Sequence, residues 1–366
     1  MQTTGKSGSY YFHIPFCTKR CPYCHFYVAP DQAPLHALLL EGLRMEWDHA
    51  NHFENIASIY FGGGTPSLLG PDAIGEILSW IKPTPGTEIT LEANPQEITP
   101  ELIQSFASVG INRLSIGVQS LDNTLLKTLG RLHSAEKAIG AIEAASAYIP
   151  NISIDLMYDI PGQTTTSWQE TLQTLSSLPI KHLSLYNLTF EPKTLYFRQQ
   201  KKLLPLLPSP ETSFAMLETA ISHLEKIGLA RYEISAFARP GYRSNHNIGY
   251  WTARPFLGFG PAAFSYGDGK RWRNIENLKK YHALLLTGGS PIDFEEQLSP
   301  EAHLHELLAV RLRLLEGVDM RDFPVSPALY EKLQDSGWLE ITENRARLTE
   351  SGKNFYDSVA EEIVIV

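Results

Sequence analysis

Tyr11-Phe12-His13-Ile14-Pro15-Phe16-Cys17-Thr18-Lys19-Arg20-Cys21-Pro22-Tyr23-Cys24 is a short apolar strand that runs straight into a loop holding every cysteine of the chain. Thiolates at C-x3-C-x2-C spacing can hold three irons of a four-iron cluster and leave the fourth open, and an open metal position is where chemistry takes place. The rival for such spacing is a structural zinc site, which wants a fourth ligand, here His25 or His13. A disulfide framework is disfavoured, since three is odd and a chain of 366 residues needs no staples.

Outward from that loop, apolar periodicity alternates between strand and helix. The sequence predicts strands at 10–14, 58–61, 88–92, 113–118, 152–157 and 182–188. Helices are predicted at 35–49, 72–81, 101–109, 123–129, 135–147 and 167–178, with Thr99 as an N-cap ahead of Pro100. Six strand–helix units with buried apolar strands predict an α/β fold, a parallel sheet rolled into a full or partial (β/α)6 barrel of the TIM type. The pattern then breaks. Residues 201–210 read as a proline-rich connector before a helix at 211–227, and 231–269 lack clear periodicity. Helices near 302–315 and 327–334 with a hairpin at 339–349 predict a winged-helix-like α+β tail. The expected division is 1–230, 231–300 and 301–366.

Bulk composition narrows the function. Hydrophobic content of 43% and charged content of 19% describe an ordinary globular protein, whose length suggests two domains. With 31 basic and 40 acidic residues the net charge is −9, which argues against nucleic-acid binding. The tail itself, 301–366, carries 7 basic and 13 acidic side chains, and its expected recognition helix bears Glu331 and Asp335. That wing is structural, because phosphate contacts depend on Lys and Arg. Met1–Gly8 lacks an apolar signal core and no run of roughly 18 apolar residues exists. The expectation is a cytoplasmic protein with reduced thiols and no transmembrane segment, for which a transient association with a membrane surface stays open. The apolar end Ile363-Val364-Ile365-Val366 is expected to dock on its own domain or on a second subunit.

Barrel enzymes carry function at the carboxyl ends of their strands, and here all six ends are marked. The cysteine loop follows the first and Gly62-Gly63-Gly64-Thr65-Pro66 the second. Glu92 closes the third, Gln119 follows the fourth, Asp155 lies in the fifth and Thr189 ends the sixth. Adjacent glycines let backbone N–H groups approach a ligand, although alone they also fit a tight turn. Buried Glu92 and Asp155 are costly unless paired, either with Arg113 or Arg131 or with a polar ligand. Carboxylates accept ribose hydroxyls, and Arg131 can clamp a carboxylate. Together these residues suit a zwitterionic nucleoside.

Tyr11–Cys17, Gly62–Leu68, Leu91–Pro95, Asn112–Ser120, Ile154–Met157 and Pro161–Thr164 resemble radical S-adenosylmethionine (SAM) proteins. The chain is similar to the oxygen-independent coproporphyrinogen III oxidase-like group and, within it, the HemW haem-chaperone branch. The resemblance implies a [4Fe-4S] cluster on Cys17, Cys21 and Cys24 with SAM on the open iron. It implies SAM contacts from Tyr11, Gly63, Gly64, Thr65, Glu92, Gln119, Arg131 and Asp155, with Tyr23 and Thr189 nearby. The oxidase resembles C-x3-C-x2-C-x-C and has a longer amino-terminal segment, whereas Phe26 stands here at the last cysteine position and 16 residues precede Cys17. Both departures point to a haem-binding chaperone that serves respiratory-chain proteins, with propionate decarboxylation as the alternative.

His246-Asn247-Ile248-Gly249-Tyr250-Trp251 resembles the H-N-x-x-Y-W stretch of that branch. This makes His246 a candidate haem ligand, with Tyr250 and Trp251 packing on the macrocycle; the alternative is a histidine that satisfies a loop. Ser244 stands where some relatives carry cysteine, so no thiolate ligand comes from that loop. Asp159 stands where a glycine is usual, and is expected to add a carboxylate beside the cavity.

Overall fold

The computed structural model describes residues 7–365. Six strands lie side by side in chain order, all parallel: β1 (Ser7–Ile14), β2 (Asn55–Gly63), β3 (Glu88–Ala93), β4 (Arg113–Gln119), β5 (Ile152–Tyr158) and β6 (His182–Asn187). Parallel neighbours need long crossovers, and helices supply them: α1 (Ala33–His49), α2 (Pro71–Ile81), α3 (Pro100–Ser108), α4 (Asn123–Thr128), α5 (Ala135–Ser146) and α6 (Thr165–Leu175). Their starts follow local chemistry. The Thr99 hydroxyl accepts the Leu102 N–H ahead of Pro100, and the Asp122 carboxylate accepts those of Thr124 and Leu125. These units form the partial barrel the alternation predicts.

The strands are less uniformly apolar than expected. Phe12, Phe61, Leu91, Leu114, Ile154 and Leu183 are fully buried in the main core, each contributing roughly 1.5–3 kcal/mol relative to exposure. Their alternates carry polar groups that act on one another inside the array. Tyr60 and Asp155 bear on Glu92, and the Arg113 guanidinium bears on Glu92, Asp155 and His182. Arg113 itself is only 2% exposed. An apolar outer face and a polar lumen give the strands a period of two where the sequence suggested continuous burial.

The stretch after 230 is also more regular than its sequence implies. Ala230–Glu233 and Ala236–Ala238 extend the sheet beyond β6, and Phe256–Phe259 pairs parallel to β1. Phe264–Gly267, Lys270–Asn274 and Ile292–Gln297 continue that edge as antiparallel strands, giving twelve in one sheet. Residues 231–300 are therefore woven into both edges of the sheet. Two short helices, Leu195–Arg198 and Gln200–Leu203, lead into the proline-rich connector, the second overlapping its start.

The tail forms a second core around Leu308, Leu312, Leu329, Leu333 and Val359. Its hairpin, Leu339–Thr342 with Arg345–Leu348, is joined by Val318–Asp319 into a three-stranded sheet, giving the winged-helix-like unit. Of the apolar carboxyl end, Ile363 is fully buried in this core whereas Val364 is 54% exposed; Val366 and most of the amino end, Met1–Lys6, lie outside the described residues. Arg313 bolts the tail to the sheet. Its guanidinium stacks over Trp251 at 4.3 Å and Tyr356 at 5.0 Å, and pairs with Glu233 at 3.2 Å.

Candidate functional site

The loop after β1 is braced from within and from across the sheet. The Cys24 N–H donates to the Cys21 carbonyl at 3.2 Å, and the Arg20 guanidinium donates to the carbonyls of Cys24 and Phe26. The Thr65 N–H donates to the Phe16 carbonyl at 2.7 Å, which holds the glycine turn after β2 against the cysteine loop. Gly64 permits that approach, since a β-carbon there would meet the Phe16 carbonyl oxygen at 2.6 Å.

One cavity of about 410 Å³ opens over this junction. It is lined by all three cysteines and by residues from each of the six strand ends. Twelve of the site residues expected from sequence border it: Cys17, Cys21, Tyr23, Cys24, Gly63, Gly64, Thr65, Glu92, Gln119, Arg131, Asp155 and Thr189. Two do not. The Tyr11 ring lies deeper, its hydroxyl bonded to His13 Nδ1 at 3.1 Å, and His246 is also outside the cavity lining.

The electrostatics explain why ligands are needed here. Burial pushes the Cys17 thiol up to about 11 and raises Cys24 as well, so ionisation has to be driven by a metal. His13 offers no fourth ligand, because Nδ1 is held by Tyr11 and Nε2 by the Tyr27 carbonyl, each at 3.1 Å. Among the described residues no three His, Cys, Asp or Glu side chains converge to hold a single ion. Three thiols spread round one cavity suit a cluster of several irons better than one zinc.

Glu92 accepts the Tyr60 hydroxyl at 2.8 Å and the Gly63 N–H at 3.2 Å, yet burial still lifts its carboxyl to about 7. Burial lifts Asp155 to about 6 against a Ser184 hydrogen bond and the charges of Arg113 and Arg131. Neither carboxylate closes an ion pair with those arginines among the described residues. Arg131 instead donates to Asn94, to the Gly117 carbonyl at 2.7 Å and to Cys21 Sγ at 3.6 Å. Its Nε is buried without a partner. A buried guanidinium N–H with nothing to bond, beside two carboxylates that close no ion pair among the described residues, fits a zwitterionic ligand. Gln119 is aimed inward by a register shift after Gly117 and holds a left-handed φ of 68°, the kind of strain found at binding sites.

Two expectations need correction. His246 is 1% exposed and has both ring nitrogens engaged, Nδ1 with Ser58 and Nε2 with Tyr250, each at 2.9 Å. Its ring stacks on Tyr60. Burial, aided by the charges of Arg254 and Arg113, holds its pKa down to about 3. In this conformation it satisfies the barrel interior and offers no lone pair to an iron. Tyr250 shares that bond through its hydroxyl, and its ring lines a separate cavity together with Trp251. Asp159 takes a left-handed φ of 61°, which explains the usual glycine. Its carboxylate turns to Ser213 and to Asn187, the latter at 2.6 Å, and stays out of the cavity lining.

Sequence reasoning missed Tyr60, Asn94 and Asn187. Tyr60 supplies the hydrogen bond to Glu92, while Asn94 and Asn187 line the cavity. Asn94 was visible as the polar residue two places past Glu92, and Asn187 two places before Thr189. Tyr60 carried only the weak signal of a tyrosine between two apolar strand residues.

The Radical SAM superfamily signature matches residues 11–175, and the HemN C-terminal domain signature matches 298–355. In overall structure the chain superposes on the radical SAM coproporphyrinogen III oxidase HemN of Escherichia coli with a TM-score of 0.84, covering 99% of this chain and 90% of that one at 22% identity. Heme chaperone HemW of Bacillus subtilis is 31% identical across 94% of this chain and 96% of its own length. HemW of Escherichia coli is 32% identical across 96% and 97%. A mitochondrial radical S-adenosyl methionine domain-containing protein 1 from Bos taurus is 39% identical across 84% and 73%. The chain therefore belongs to the radical SAM superfamily and, within it, to the HemW family.

Proposed function

We propose that this chain is a cytoplasmic haem-binding chaperone that carries a [4Fe-4S] cluster on Cys17, Cys21 and Cys24 and SAM beside it, and that it hands haem to respiratory-chain proteins. One observation carries the reading. Three thiols and six polar strand ends share a single cavity in a chain similar over nearly its whole length to haem chaperones. A cluster with SAM on its open iron supplies one-electron chemistry at the SAM sulfur. The chain's own residues bind and orient: the Arg131 Nε–H takes the ligand carboxylate, Gly63 and Gly64 present backbone to it, and Glu92 and Asp155 accept hydroxyl or ammonium protons. Tyr60 and Arg113 hold Glu92 in place and limit its cost of ionisation.

Phe26 favours the chaperone over the oxidase, since it stands 52% exposed at the cavity rim where the oxidase pattern has cysteine. Anaerobic titration of cluster-loaded protein with haem is expected to give a saturable Soret shift; a flat titration overturns the proposal. Incubation with coproporphyrinogen III, SAM and a reductant is expected to leave the substrate intact. Accumulating protoporphyrinogen would establish the decarboxylase instead.

A further inference from the structure

Outside the barrel a second cavity, of about 560 Å³, lies between α1, the helix Leu278–Leu286 and the edge strands of 256–297. It shares no lining residue with the cysteine cavity. Leu257, Phe259, Leu285 and Ile292 give it an apolar body. Trp272 stands between Ser265 and Glu295 in the strand register, and all three line the cavity.

Charge selects the ligand. Two helices end here: Glu46, His49 and Ala50 belong to the close of α1, and Leu285, Gly288 and Gly289 to that of the second helix. A helix carboxyl end carries about half a negative charge and favours a cation. The chain supplies little to match it. The last turn of the helix Leu278–Leu286 has no basic residue. That of α1 has His49, whose Nδ1 is bonded to the Met45 carbonyl. Lys270 is neutralised by Glu295 at 2.7 Å. Glu46 is desolvated with only hydrogen bonds to offset the cost, and it closes no ion pair among the described residues. Its Oε2 accepts from the Gly260 N–H and the Tyr281 hydroxyl, whereas Oε1 accepts from Asn274 Nδ2 and has room for another donor. Asn274 itself lines the cavity, which places that oxygen at its wall. A neutral apolar ligand would leave the acid and both helix ends unmatched. A bare metal ion finds no ligand cluster among the described residues. We propose that the cavity binds a small primary alkylamine as its ammonium ion. The nitrogen sits on Glu46 at the two helix ends, and the carbon chain lies against Trp272 and its apolar neighbours.

The test is calorimetric titration of the cluster-loaded chain with n-pentylamine and with 1-pentanol, its neutral counterpart. The amine is expected to bind saturably and the alcohol at least about tenfold more weakly. Glu46→Gln should lower amine affinity on the order of tenfold, the loss of one hydrogen bond between charged groups, and leave the alcohol unchanged. Trp272→Leu should weaken both ligands; its melting temperature, matched to the parent protein, will show that the fold is retained. Amine affinity should rise with pH through about 7, because the amine stays charged there while Glu46 gives up the proton that burial keeps on it. Tyr281, His49, Lys270 and Glu295 also lie around Glu46, so His49→Gln should keep that rise and Glu46→Gln should flatten it. Nα-acetyl-lysine amide carries the same ammonium on a peptide and is expected to bind less well, since the apolar body offers its amides no partner. Tighter binding of the peptide would overturn a free amine as the ligand. No saturable heat with pentylamine, equal affinity for the alcohol, or unchanged amine affinity in either the Glu46 or the Trp272 variant overturns the cavity's assignment. The haem titration contains no amine, so each reading is tested independently of the other.

Discussion

Gly64 has no room for a β-carbon, and the atoms it would strike are backbone: the Phe16 carbonyl oxygen at 2.6 Å and the Pro15 carbonyl at 2.7 Å. Backbone cannot rotate away as a side chain can. Gly64→Ala should therefore push the glycine turn off the cysteine loop, destabilise the fold by about 1–3 kcal/mol and lower the iron and sulfide bound per chain; unchanged metal content would contradict this. His246→Ala leaves Ser58 and Tyr250 without their shared partner. It should cost about 1–3 kcal/mol, measured as a lower urea midpoint. A Soret change at unchanged stability would put the imidazole on iron instead. These two residues show what a sequence can disclose. Cysteine spacing, adjacent glycines and strand-end carboxylates were legible because the residue types carry the chemistry themselves. The fate of His246 was hidden, since it depends on a serine 188 positions away in the chain.

Among the elements, α1 depends on one carboxylate. Glu46 accepts from the Tyr281 hydroxyl at 2.6 Å, the Gly260 N–H at 2.8 Å and Asn274 Nδ2 at 2.6 Å, joining α1 to the outer strands and to the helix Leu278–Leu286. Burial outweighs these bonds and raises its carboxyl from 4.5 to about 7. Within that window the native state keeps a proton that the unfolded chain releases, so this group's stabilising contribution is full below about pH 4.5 and is lost as pH rises through 7. The lost contribution amounts to roughly 3 kcal/mol at most. Glu46→Gln removes the titration, so its deficit against the parent protein should be larger near about pH 5 than near about pH 8 in urea unfolding. A deficit independent of pH would refute this. The barrel elements were readable because apolar period and caps repeat along them. The edge strands of 231–300 were not, because their pairing partners are distant in sequence and short strands carry little periodicity of their own.

At the scale of the whole molecule, the winged-helix-like outline was legible from helix–helix–hairpin order, whereas its role was decided by charge. Glu331 and Asp335 on the helix Pro327–Asp335 oppose phosphate, so duplex DNA should migrate unretarded with the protein at every salt concentration; a salt-sensitive shift would reverse that assignment. Replacing any one of Cys17, Cys21 or Cys24 by alanine should remove the brown cluster absorbance, and retention of full iron would contradict the cavity's assignment. The Arg313 contact has a mechanical corollary. One cation is gripped at once by an indole from the His246 helix, a phenol from the terminal helix and a carboxylate from the sheet edge. A torque on the wing is thereby delivered, through this rivet and the neighbouring Arg271–Glu306 and Arg243–Glu316 pairs, to the helix Asn245–Trp251. That helix is bonded to the Ala57 carbonyl of β2 and to Glu88 at the start of β3, and whatever grasps the tail also pulls on that stopper.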